Sequence, residues 1–80
     1  MKVLFYGRLA QAIGPELEVG AVRGCSVAEM RERLVAEHPE AEDALRSRRA
    51  LACVGEMLVG DDYRLGPGDT LEFLPPVSGG

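Results

Sequence analysis

The last eight residues of this 80-residue chain, 73–80, hold the groups best suited to chemistry. A strand-like run leads into Pro75 and Pro76, which fix φ and remove two backbone donors, so neither a helix nor a sheet ladder continues. Gly79 and Gly80 lack a Cβ, and their backbone therefore fits a slot too narrow for any side chain. Such a tail delivers its terminal carboxylate, a poor electrophile until its oxygen becomes a good leaving group, for instance by adenylation.

We therefore predict a domain, residues 1–74, that presents an extended tail, residues 75–80, to the interior of another protein. Gly80 is the predicted reactive position. The predicted partner contacts are the residues that lead up to it: Phe73, Leu74, Pro75, Pro76, Val77, Ser78 and Gly79. A disordered terminus or residues left over from an expression vector could also end in Gly-Gly. The apolar strand, the two prolines and the valine before it favour a functional tail.

Length and composition restrict the remaining possibilities. Eighty residues make one domain, and 46% hydrophobic with 28% charged residues is typical of a folded chain. Apolar runs long enough to cross a bilayer are missing from the sequence. The chain enters a strand pattern at its first residues, without the layout of a signal peptide, so we expect a cytoplasmic protein.

The charged residues and cysteines do not point to nucleic acid or metal. The net charge is −4, and no basic stripe interleaved with aromatic residues is present. An acidic surface suits a partner with a basic docking face, although an acidic surface facing only water explains the charge equally well. Cys25, Cys53 and His38 lack the spacing of metal ligands, so no metal site is predicted and the cysteines are expected to serve as small apolar residues.

Catalytic and nucleotide-binding motifs are also missing. The sequence contains neither a Gly-x-x-x-x-Gly-Lys-Ser/Thr loop nor a Gly-x-Gly-x-x-Gly turn, and no nucleophile stands beside a base. The chain is therefore not predicted to be an enzyme by itself or to bind a cofactor. Activation of its carboxylate would require an adenylating partner that uses ATP, and a second partner would receive the product.

Hydrophobic patterning predicts the elements that hold the tail. The run at residues 2–6, apolar at every position after Lys2, indicates a strand covered on both faces, by a helix on one and by a thin or partner-supplied cover on the other. A short helix over 8–13 and an alternating strand over 16–21 follow, with Leu17, Val19 and Ala21 facing inward. The strand over 16–21 is expected to pair antiparallel with the first.

The main helix is predicted to begin at Ser26 with a capping box completed by Glu29, and to end near Glu37. Arg31 is expected on its polar side, and a second, shorter helix is expected after Pro39. The apolar stripe of the main helix is Val27, Met30 and Leu34.

The sequence pattern in the second half of the chain predicts three strands. Residues 51–54 and 57–59 form a hairpin around Gly55 and Glu56. Residues 66–69, with the sequence Gly-Pro-Gly-Asp, have the signature of a type II turn. The last strand, 70–74, should lie beside the first. The predicted fold class is α+β, with a sheet of four or five strands packed on one main helix.

The order of elements and three segments resemble a known family. The segments are the opening Val-Leu-Phe-Tyr, the Gly-Pro-Gly-Asp turn and the ending Phe-Leu-Pro-Pro-Val-Ser-Gly-Gly. Together they resemble the sulfur-carrier small subunits of molybdopterin synthase, of the MoaD and ThiS type. The resemblance extends over residues 2–80 and implies a ubiquitin-like β-grasp fold with a mixed sheet.

The resemblance also implies a mechanism. An E1-like enzyme would adenylate Gly80 with ATP, and a sulfur donor would convert the acyl-adenylate to a thiocarboxylate. The tail would then enter the large synthase subunit and pass its sulfur to a cyclic pterin monophosphate, in a heterotetramer of two small and two large subunits. Leu74 stands where the family has an apolar contact, usually phenylalanine.

Two departures and three alternatives accompany this interpretation. Leu9-Ala10-Gln11 replaces the family's frequent Leu-Arg-Glu, and Cys53-Val54-Gly55 replaces Ala-Val-Asn, so individual interface contacts differ from those of the family, while the tail does not. The alternatives are a sulfur carrier for thiamine or cysteine synthesis, a ubiquitin-like modifier of lysines, and an interaction module with an inert tail. The Pro-Pro-Val-Ser segment argues against the first of these.

Overall fold

The computed structural model describes residues 1–20, 23–47 and 50–75. In chain order the elements are β1 (Lys2–Phe5), α1 (Arg8–Ile13), β2 (Glu16–Glu18), α2 (Val27–Glu37), a 3-10 turn (Pro39–Ala41), α3 (Glu42–Arg46), β3 (Leu51–Val54), β4 (Met57–Val59) and β5 (Thr70–Leu74). They form a five-stranded sheet in the order β2-β1-β5-β3-β4. The predicted α+β architecture, with one main helix on a mixed sheet, is confirmed.

Strand β5, which leads into the tail, lies in the centre of the sheet. It runs parallel to β1, with Phe5 beside Phe73, and antiparallel to β3, with Ala52 beside Phe73. The outer pairs, β1 with β2 and β3 with β4, are antiparallel. The predicted neighbourhood of the first and last strands is confirmed, and it anchors the root of the tail on both sides.

Helix α2 covers one face of the sheet and begins where the capping box predicts. The Ser26 hydroxyl accepts from the Glu29 N–H at 3.1 Å, and the Glu29 carboxylate accepts from the Ser26 N–H at 2.9 Å. Two donors that the first turn would otherwise leave unpaired are thereby satisfied. The buried side of α2 consists of the predicted Val27, Met30 and Leu34, together with Val35.

The core lies between α2 and the sheet. Strands β1 and β5 contribute Val3, Phe5, Leu71 and Phe73, none of them more than 2% exposed. Burying a side chain of this size stabilises the fold by roughly 1.5–3 kcal/mol. The two phenylalanine rings stack with their centroids 6.0 Å apart. Helix α1 adds Leu9 and α3 adds Leu45 to the same core.

Arg31 does not lie on the polar side of α2, where the sequence pattern placed it. Its side chain is only 13% exposed. The guanidinium donates to the carbonyl oxygens of Leu45 and Ala50, each at 2.7 Å. The prediction was wrong because Leu45 in α3 and Ala50 just before β3 lie beside this edge of the helix, and their carbonyls accept the hydrogen bonds that water would otherwise accept.

The turn at residues 66–69 is also different from its prediction. Gly68 does not have the positive φ that a type II turn requires. The Asp69 N–H donates to the Gly66 carbonyl at 3.1 Å, and the Asp69 carboxylate accepts from the Gly66 N–H at 2.9 Å. A Pro-Gly pair permits a type II turn without enforcing it, and here the Asp69 side chain closes the turn in another form.

The remaining local predictions are met with smaller changes. Strand β2 is shorter than the predicted 16–21, although Val19 is still buried and Leu17 half-buried, while Ala21 lies outside the described residues. The hairpin turn has positive φ at both Gly55 and Glu56, which is the type I′ pattern. None of the helices in the described ranges has the length and apolar character needed to cross a membrane.

Candidate docking face and tail root

The sheet has a second face, on the side away from α2. Because side chains alternate along a strand, the residues next to buried core positions point to this side. We call it the open face and define it by Leu4, Tyr6, Leu51, Cys53, Leu58, Glu72 and Leu74. Leu58 is 64% exposed and Tyr6 41% exposed. Large apolar side chains in contact with water on one face are typical of a binding surface.

Strand register makes the open face continuous. Cys53 pairs with Leu58 on one side and with Glu72 on the other. Glu72 in turn pairs with Leu4 across the parallel β1–β5 ladder. Apolar side chains therefore run from β4 to β1, with one carboxylate among them. The sequence-based expectation of a thin or partner-supplied cover over the first strand agrees with this exposure.

Tyr6 and Glu72 are joined directly on the open face. The Tyr6 hydroxyl donates to the Glu72 carboxylate at 2.7 Å. This hydrogen bond, followed by desolvation, raises the pKa of Tyr6 above its usual value. The phenol is therefore neutral over the physiological range and can donate its proton to the hydrogen bond with Glu72.

The tail begins at the edge of the open face. Leu74 is half-buried in strand β5, and Pro75 after it is exposed. A groove of about 640 Å³ lies beside this root, with Arg8 and Asp43 among its polar residues and Leu9, Ala44 and Ala50 among its apolar ones. The groove was not foreseen, because its walls come from α1, α3 and β5, which are far apart in sequence.

The structure separates the predicted partner contacts into three groups. Leu74 and Pro75 lie at the tail root and are accessible. Phe73 is 0% exposed and packs in the core, so its assignment as a partner contact was wrong. The reason is alternation along β5, which turns Phe73 toward α2 and Leu74 away from it. Pro76, Val77, Ser78, Gly79 and the predicted reactive Gly80 lie outside the described residues.

Tyr6, Leu58 and Glu72 are members of the open face that the sequence analysis did not assign to a site. A signal for Leu58 was available in the sequence. Met57, Leu58 and Val59 are consecutive apolar residues in a short strand, so at least one must point away from the core. The signal for Tyr6 was weaker, because its neighbour Glu72 is identified only by the pairing of β1 with β5.

The cysteines behave as small apolar residues. Cys53 is buried, and Cys25 is half-buried and packs against the core. Burial raises the pKa of the Cys25 thiol, which makes a thiolate less available. Across the described ranges, no three His, Cys, Asp or Glu side chains gather into a group that could hold a metal ion.

The five-stranded mixed sheet, its main helix and the open face define a ubiquitin-like β-grasp protein. Solved structures share this fold. SAMP1 from Haloferax volcanii superposes with a TM-score of 0.79 at 23% identity, covering 99% of this chain and 97% of that one. A chain in the complex of subunits 1 and 2 of molybdopterin-converting factor from Helicobacter pylori superposes with a TM-score of 0.65 at 21% identity, covering 99% and 96%.

Sequence comparison gives the family. The ThiS family profile matches residues 3–80. The molybdopterin synthase sulfur carrier subunit of Escherichia coli (strain K12) is 32% identical over 80 residues, which is 100% of this chain and 99% of that protein. The chain therefore belongs to the ThiS family, and the resemblance to small subunits of molybdopterin synthase is confirmed.

Proposed function

We propose that this protein is a sulfur carrier for molybdopterin synthesis and acts as the small subunit of molybdopterin synthase. The observation that carries the proposal is its 32% identity to the E. coli sulfur carrier subunit over the whole length of both chains. The match to the ThiS family extends to residue 80 and so includes the Gly-Gly ending. The open face beside the tail root is the surface on which a larger partner would hold the carrier.

The reaction takes place at Gly80. An E1-like partner uses ATP to convert the Gly80 carboxylate to an acyl-adenylate, with release of pyrophosphate. A sulfur donor then displaces AMP and leaves a thiocarboxylate. In the large subunit this sulfur passes to cyclic pyranopterin monophosphate, and water restores the carboxylate. Two such transfers supply the dithiolene of molybdopterin, which fits a heterotetramer with two carriers.

In this proposal the chain delivers the sulfur on its C-terminal residue to the large subunit. The central position of β5, hydrogen-bonded on both sides, fixes where the tail leaves the domain. Pro75 and Pro76 stiffen the first part of the tail, and the glycines allow it to enter a narrow channel. The residues that bind the pterin and move its protons belong to the large subunit in this proposal, and ATP is bound by the adenylating partner.

The partners are inferred from relatives. The Helicobacter pylori structure is a complex of subunits 1 and 2 of molybdopterin-converting factor. By analogy, we propose that the large synthase subunit covers the open face and receives the tail of this protein. The adenylating enzyme must handle the same tail, so it would use the same face at a different time. We propose a cytoplasmic location, where both partners would act.

Reconstitution tests the proposal. The protein is incubated with the E1-like enzyme, ATP, a sulfur donor, the large subunit and cyclic pyranopterin monophosphate, and molybdopterin is measured. Wild-type protein should support synthesis, and a variant lacking Gly80 should support none while it keeps its thermal stability. Synthesis by the truncated variant would eliminate the carrier mechanism. Tail-dependent attachment to lysines of other proteins, without molybdopterin synthesis, would instead indicate a protein modifier.

A further inference from the structure

Glu72 is a carboxylate surrounded by the apolar residues of the open face. Its strand neighbours on that face are Leu4 in β1 and Cys53 in β3. The side chain is half-buried, and one of its oxygens, Oε2, accepts from the Tyr6 hydroxyl at 2.7 Å. The tyrosine thus holds one oxygen in place, and the other, Oε1, has no hydrogen bond to any of the described residues.

Glu72 differs from Glu16 and Glu18, the carboxylates of β2 on the same side of the sheet, because no cation among the described residues pairs with it. Glu18 lies 3.0 Å from the terminal ammonium of Met1, and Glu16 lies 3.9 Å from the ammonium of Lys2. Of the ion pairs formed among the described residues, none includes Glu72. Within the described part of the chain, the carboxylates at the edge of the open face are therefore paired with cations, and the one at its centre is not.

Covering the open face would remove the water that now solvates Glu72. A neutral phenol satisfies one lone pair of a carboxylate but does not balance its charge. A buried carboxylate without a cation is strongly unfavourable, so a partner that covers Leu58 and Leu74 must also neutralise the charge between them. The requirement follows from the geometry whichever residues the partner uses for its apolar contacts.

We propose that the protein that docks on the open face places a guanidinium group against Oε1 of Glu72. The inference rests on the proposed docking of the large synthase subunit and specifies the chemistry of its surface. A guanidinium fits better than an ammonium, because it is planar and more weakly hydrated, so that less hydration is lost when it is buried against the apolar residues around Glu72. Tyr6 is a positioning residue in this arrangement, since its hydrogen bond fixes the orientation of the carboxylate that the partner binds.

The test is calorimetric titration of the full-length protein with the large subunit from the same organism. Glu72→Gln preserves the shape of the side chain and removes its charge, and should weaken binding by at least about 30-fold, as truncation of a buried charge pair does. Tyr6→Phe should weaken it by a smaller factor. Glu18→Gln, a rim carboxylate already paired with the terminal ammonium, is the matched control and should bind as the wild type does. Thermal melts confirm that each variant is folded.

A double-mutant cycle identifies the partner group. Exposed arginines of the large subunit are replaced by alanine one at a time, and one replacement should lose its effect when Glu72 is already glutamine. Unchanged or tighter binding by Glu72→Gln would overturn the guanidinium proposal. If Leu58→Ser still weakens binding in that case, the open face remains the docking surface and the proposed function stands. If Leu58→Ser also has no effect, docking on this face fails as well.

Discussion

The guanidinium carbon of Arg31 lies 5.0 Å from the centre of the Phe73 ring, over the last buried residue of the strand that leads into the tail. The same side chain donates to the carbonyls of Leu45 and Ala50 and to the carboxylate of Asp61. One residue of α2 therefore joins α3, the start of β3 and the loop before β5. This network holds the tail root in place, although it lies on the side of the sheet opposite the open face.

Replacing Arg31 should destabilise the fold strongly. Arg31→Met keeps the apolar stem but removes the side-chain donor to two partly buried carbonyls and the cation–π contact, so we expect a loss of about 2–4 kcal/mol in the free energy of unfolding. Arg46→Met is the matched control, because Arg46 is 48% exposed and pairs only with surface carboxylates of Glu32 and Glu42 in the described chain. Arg46→Met should lower the free energy of unfolding by less than about 1 kcal/mol. Equal losses in urea denaturation would contradict this assignment.

Two neighbouring residues of β4, on opposite faces of the sheet, show whether binding depends on the open face itself or on exposed apolar side chains in general. Leu58 points to the open face, whereas Met57, paired with the buried Val54, points to the other side. Their exposures are nearly equal, 64% and 65%. Leu58→Ser should weaken binding to the large subunit by on the order of 10-fold or more, as loss of a large apolar contact that the partner buries does. Met57→Ser should leave affinity unchanged in the same titration, and a matching loss in both variants would exclude the open face as the specific docking surface.

The capping box predicts how stability depends on pH. The Ser26 backbone N–H, followed by its hydroxyl, holds the pKa of the Glu29 carboxyl below its usual value of 4.5. As the pH falls, the Glu29 carboxylate is therefore protonated in the unfolded chain before it is protonated in the folded one. The stabilisation of the fold by Glu29 is complete above pH 4.5 and is lost as the pH falls through the lowered pKa of the folded state. Glu29→Gln should flatten this part of the acid unfolding curve. An unchanged curve would show that the carboxylate does not support the helix start.

Ser26→Ala tests the other half of the same motif. It removes the acceptor of the Glu29 N–H and should cost about 1 kcal/mol at neutral pH. The measurement is the urea midpoint, with the slope of the transition unchanged. A loss of stability of a few tenths of a kcal/mol or less would mean that water replaces the hydroxyl without penalty.

Gly79→Val tests passage of the tail through a narrow channel. The substitution adds a branched Cβ to the tail and changes no residue of the core, so thermal stability should not change. Adenylation and sulfur transfer should both be blocked, because the backbone next to Gly80 no longer fits. Gly68→Ala is the control: the turn does not use a positive φ at this position, and a Cβ there meets nothing within 4 Å. Normal adenylation of Gly79→Val would contradict the narrow-slot argument.

Local motifs could be identified from the sequence because their partners are close along the chain. The capping box spans four residues, and the β3–β4 hairpin is set by its two-residue turn. Alternation along β5 places Phe73 and Leu74 on opposite faces of the sheet, but both were assigned to the partner because they adjoin the tail. Burial of Phe73 corrects that assignment.

The features that were missed depend on contacts between distant segments. Arg31 bonds to carbonyls 14 and 19 residues away, and Tyr6 bonds to Glu72 across 66 residues. Hydrophobic periodicity contains no information on such pairs. The groove beside Pro75 likewise exists only once α1 and α3 are placed next to β5. The tail itself was interpreted from residue chemistry, and its predicted roles at Pro76 to Gly80 stay predictions.

The most direct measurement of the central claim is the intact mass of the protein after incubation with the E1-like enzyme, ATP and a sulfur donor. We predict the mass increase that accompanies replacement of one terminal oxygen by sulfur, dependent on ATP and absent when Gly80 is deleted. Alkylation should then add one label at the C-terminal residue, identified by fragmentation. An unmodified terminus under conditions in which the same enzyme sulfurates a known carrier would contradict the account.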